Sequence, residues 1–80
     1  MKRPRPGSQR ATILNILIHS QGEYVGLNVL MREACCGAVH SQIDELRKHY
    51  GADITNSQKR AEGRTHSRYR LNNWSDFEDE

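Results

Sequence analysis

The chain has 80 residues, 35% hydrophobic and 28% charged, with a net charge of +2. A length of that order makes one domain that buries only about 60% of its unfolded surface, which leaves little room for an enclosed substrate cavity. No apolar run reaches the roughly 18 residues of a membrane span, and no apolar segment of a secretory signal follows the basic start Met-Lys-Arg-Pro-Arg-Pro-Gly, so a cytoplasmic protein without a membrane partner is expected.

Residues 1–7 set two prolines and a glycine among cations and read as a flexible basic arm. Ser8 is a good N-cap, and Ala11, Leu14, Leu17 and Ile18 follow at helical spacing, with Ile13 and Ile16 widening the stripe. Gln21-Gly22 supplies a left-handed exit near Ser20. Glu23-Tyr24-Val25 is a short extended link, too brief for a strand without partners. Asn28 can cap a second helix running to about Cys36, with Leu27, Leu30, Met31 and Ala34 on its apolar face. After a turn at Gly37, Val39, Ile43, Leu46 and Tyr50 predict a third helix over residues 38–50, ended by Gly51.

Beyond Gly51 the period changes from 3.6 to 2. Ile54 sits between polar neighbours, and Ser67-Arg68-Tyr69-Arg70-Leu71 alternates strictly. Two antiparallel strands are predicted, joined by a cationic loop at residues 58–65. Residues 73–80 form a loose acidic tail in which Trp74 and Phe77 are the candidates to dock. The domain proper is expected over residues 8–72, with Ile54, Tyr69 and Leu71 closing the core against three helices.

Charge is unevenly placed along this order. Residues 1–10 sum to +4, 11–46 to −3, 47–74 to +5 and 75–80 to −4. A basic half beside an acidic one points to a polyanion on one face; a mixed, solvated surface is the plainer alternative.

In this order and spacing the chain resembles the winged helix-turn-helix family, most of all small phage, prophage and bacterial members. The resemblance rests on Leu27–Ala34, Gly37, the run Ser41-Gln42-Ile43-Asp44-Glu45-Leu46-Arg47-Lys48, Gly51-Ala52-Asp53-Ile54 and Ser67-Arg68-Tyr69-Arg70-Leu71. It covers about residues 8–72 and implies an α+β fold, a three-helix bundle with a C-terminal two-stranded wing. One departure is that Glu33 stands four residues before the turn glycine where the family carries a small residue. The resemblance implies binding of duplex DNA by a regulator or accessory protein. The third helix would enter the major groove, and the wing over residues 54–71 would hold the backbone.

On that helix His40, Ser41 and Gln42 suit base edges, and Lys48 suits phosphate; Arg47 and Lys48 equally suit the helix dipole. On the wing Lys59, Arg60 and Arg64 sit near the tip, while Arg68 and Arg70 share one strand face. Structured RNA would meet the same cations. The outward acids Asp44 and Glu45 motivate a second reading, an adaptor or inhibitor that binds a basic protein. Dimerisation would strengthen the few contacts one domain makes. The pair Cys36 and His40 lacks the second ligand group a zinc site needs, and no nucleophile–base spacing or glycine-rich phosphate loop appears, so neither a cofactor nor catalysis is expected.

Overall fold

The computed structural model describes residues 3–35 and 37–78. Lys2, Cys36, Asp79 and Glu80 lie outside them. The described residues form a small α+β arrangement of four helices and a three-stranded antiparallel sheet. In chain order it runs α1 (Gln9–His19), β1 (Val25–Gly26), α2 (Leu27–Ala34), α3 (Val39–His49), β2 (Ile54–Ala61), β3 (Arg64–Leu71) and α4 (Ser75–Glu78). No helix of the described residues is long and apolar enough to cross a membrane.

The first helix starts where its cap dictates: the Ser8 side chain accepts from the backbone N–H of Ala11. It ends at Ser20, and Gln21 and Gly22 turn the chain with φ of 50° and 85°. Position 22 also lies beneath Trp74, whose Nε1 would stand 3.2 Å from a Cβ there. Glycine therefore serves both the backbone angle and the close approach.

Gly26, not Asn28, caps α2, and it does so without a side-chain bond. The helix stops at Ala34 because Cys35 adopts the left-handed conformation at φ 50°, before the expected end. Only Leu30 and Ala34 are fully buried on it; Leu27 and Val29 are half-buried, and Met31, expected inside, is 41% exposed. Val39, Ile43 and Leu46 of α3 are buried as the spacing predicts, whereas Tyr50 is only half-buried.

The sheet differs from the expected lone hairpin in two ways. Val25 and Gly26 pair with Tyr69 and Arg68, so the short link becomes an edge strand and the order is β1-β3-β2. The strands also run on through the expected loop at residues 58–65. Ala61 pairs with Arg64 across the two-residue turn Glu62-Gly63, with φ of 52° and 76°. Positive φ at both central residues is the type I′ geometry, whose twist matches that of the strands it joins.

Ile13, Leu14 and Leu17 of α1, Leu30, Val39, Ile43, Leu46, Tyr69 and Leu71 are almost wholly buried in one cluster. Phe77 joins them at 0% exposure, and Trp74 packs against them. The acidic segment is thus tied down at the two residues able to dock. The arm is held as well: Pro4 is buried, and Arg3 donates to the carbonyl of Phe77.

Candidate nucleic-acid interface

The sequence groups His40, Ser41 and Gln42 at the start of α3. The structure divides them. His40 and Ser41 are exposed and line a cleft with Ile43, Asp44, Arg47, Asn56 and Tyr69, between α3 and the hairpin. Gln42 is turned to the opposite side, where its Oε1 accepts from Arg10 Nε at 2.9 Å, in a groove that Arg5 also lines.

His40 is held from below. Tyr69 is 1% exposed, and its hydroxyl is hydrogen-bonded to His40 Nδ1, with the rings edge-on at 5.7 Å. Burial raises the pKa of the Tyr69 phenol. Where that neutral phenol donates, Nδ1 is the acceptor and Nε2 carries the hydrogen, a form able to donate to a base edge or phosphate.

The charged groups of α3 are largely paired within the helix. Lys48 meets Asp44 at 2.8 Å, and His49 meets Glu45 at 3.0 Å, both at i,i+4 spacing. The hydrogen bond from Lys48 holds the Asp44 carboxyl below its ordinary range, and the same bond raises the Lys48 ammonium. Both side chains are solvated, so the pair adds little stability. It does cancel the acid that would face a phosphate, together with the cation expected to bind one. Arg47 is likewise committed, its Nε and Nη2 donating to the Ile54 carbonyl at 3.2 and 2.7 Å.

The hairpin carries the remaining cations. Ile54, Tyr69 and Leu71 face the helices, and the register places Asn56, Gln58, Arg60, Thr65 and Ser67 on that same side. The other side takes Thr55, Ser57, Lys59, Arg64, His66, Arg68 and Arg70. Lys59, Arg60 and Arg64 lie on the distal half of the hairpin, where residues 58–66 are exposed wherever their side chains are described. That half reaches solvent on both sides. Arg68 and Arg70 lie nearer the body of the domain, on the sheet face turned away from α3. Among the described residues none of these five cations meets a carboxylate at ion-pair distance.

A residue outside the expected set joins them. Tyr24 is 38% exposed, with the guanidinium of Arg68 at 4.9 Å and that of Arg70 at 5.7 Å from its ring centre. Its position follows from strand alternation: Val25 points inward, so Tyr24 stands outward beside β3. Without the β1–β3 pairing the sequence gives no sign of this. Among the described residues no three His, Cys, Asp or Glu side chains gather as a metal site. No known protein family, curated protein or solved structure matches the chain.

Proposed function

We propose that this chain is a winged-helix domain that binds duplex DNA as a regulator or accessory protein. In this reading the start of α3 meets base edges and the distal hairpin holds the backbone beside it. The order helix, strand, helix, helix, strand, strand supports the arrangement. The observation that carries the reading is the distal hairpin itself. Lys59, Arg60 and Arg64 project beyond the core with no carboxylate partner among the described residues, on a ribbon slim enough for a DNA groove.

His40 and Ser41 then supply exposed donors and acceptors beside the hairpin, and Gln42 retains its amide nitrogen for an interaction on the α1 side. Lys48 contributes through its pair with Asp44 rather than as a free charge. A basic protein partner is less well served, because Asp44 and Glu45 already have partners on their own helix.

The test is fluorescence anisotropy on random and genomic duplexes across a salt series. Affinity should fall steeply with salt, and the joint replacements Lys59→Gln, Arg60→Gln and Arg64→Gln should reduce the slope by about 0.9 for each phosphate that is no longer neutralised. His40→Ala and Ser41→Ala should shift sequence preference more than overall affinity. A triple variant with unchanged affinity and slope would remove the hairpin from the interface, and absence of binding by the natural chain at low salt would end the DNA reading.

A further inference from the structure

The cations of the hairpin divide between two surfaces. Arg60 lies on the α3 side of the distal ribbon, which reaches solvent on both sides, but Arg68 and Arg70 occupy the sheet face on the far side of the core. Tyr69 and Leu71, the residues alternating with them, are inserted among the helices. A duplex lying along α3 therefore has the body of the domain between itself and these two guanidiniums.

The far face has features that a merely solvated surface does not require. Two like charges are held side by side on one exposed aromatic ring, which attracts both through its π face. Among the described residues no carboxylate neutralises either of them, and Arg68 Nε is buried with no hydrogen-bond acceptor. Arg64, His66 and Lys59 extend the same face toward the tip, and Thr55 and Ser57 stand across from Arg70 and Arg68 as hydroxyl donors. Paired guanidiniums, hydroxyls and an aromatic on a flat strand surface form a site that a phosphodiester backbone completes.

We propose that the Tyr24–Arg68–Arg70 face is a second phosphate-backbone site, so that one chain holds two duplexes at once, one at α3 and one on the sheet. This rests on the DNA reading above. Arg68 and Arg70 supply the charge. Tyr24 is a positioning residue that keeps the two guanidiniums together.

Native mass spectrometry at low ionic strength tests it, with the full chain and an excess of a duplex of about 12 base pairs, roughly one helical turn. The natural chain should form a complex of one chain with two duplexes. Arg68→Gln with Arg70→Gln should weaken the second binding step about tenfold and leave complexes of one chain with one duplex. Tyr24→Leu, which keeps both charges, should weaken that step less than the double replacement. Ser41→Glu, acting at α3, should leave one duplex bound on the sheet face.

Saturation of the natural chain at one duplex per chain overturns the second site while leaving the DNA reading intact. Two duplexes retained by the Arg68/Arg70 variant overturn the assignment to this face. No duplex bound at all removes both proposals.

Discussion

Arg47 forks onto the carbonyl of Ile54, with Nε at 3.2 Å and Nη2 at 2.7 Å, and so joins the last turn of α3 to the first residue of β2. This explains why a cation on the helix expected to meet DNA behaves as a brace. Arg47→Ala should destabilise the fold by about 1–2 kcal/mol, the scale of a charged hydrogen bond in a solvated setting. Arg47→Lys should recover only part of that, because an ammonium cannot reproduce the fork. Urea unfolding of the two variants reads the difference; equal stability of all three chains would deny the brace.

The hairpin turn gives a prediction about backbone alone. Gly63 has φ of 76° and open space where a Cβ would stand, so Gly63→Ala meets strain without a clash. A drop in stability of about 1 kcal/mol is expected. Glu62 is in the left-handed region too, at 52°. Glu62→Asn should stabilise by a few tenths of a kcal/mol, since asparagine tolerates that region better. It also removes an acid from between Arg60 and Arg64 and should strengthen DNA binding. Thermal unfolding and anisotropy on the same preparations check both effects.

Phe77 lies in the most acidic stretch of the chain and is wholly buried. Phe77→Ala should cost about 3–5 kcal/mol, a large share of the stability of a domain this size. Phe77→Leu, which keeps most of the volume, should cost about 1.5 kcal/mol or less. If both variants melt with the natural chain, the segment beyond Trp74 is dispensable to the fold.

Tyr69 sets an alkaline limit. Its phenol is raised by burial, so between the unfolded and folded values the native state holds a proton that the unfolded chain has released. Its contribution is complete below the unfolded value near pH 10 and is lost as pH climbs through the higher folded one. Melting temperatures from about pH 8 to pH 11 should fall less steeply in Tyr69→Phe than in the natural chain. A parallel fall would place the titration elsewhere.

The helices were legible because their signals are local. Ser8 caps α1, Gly51 follows the last turn of α3, and the apolar spacing of Val39, Ile43 and Leu46 is the period of the helix itself. What escaped depends on distant or unusual partners. β1 is two residues long and exists only through its pairing with Tyr69 and Arg68. The hairpin turn has Glu62 where the usual signal is Asn or Asp before glycine. In the candidate site, the alternation of Arg68 with Tyr69 was visible, and the structure agrees with it. The split between His40 and Gln42 follows from helix geometry, since two positions rotate about 200°. Which side each then met depended on α1 and the hairpin.

The position of β2 at the margin of the sheet gives the Arg47 brace another consequence. The carbonyl of Asp53 accepts from Asn72, on the β3 side, so strand alternation turns the Ile54 carbonyl outward, to the rim that has no neighbouring strand among the described residues. The guanidinium therefore blocks the first free acceptor along a margin where another polypeptide could otherwise begin to zip on. Lys59 and Arg60 guard the far end of that margin with like charge. One side chain thus fastens a helix to the sheet and also occupies an acceptor that an added strand would need.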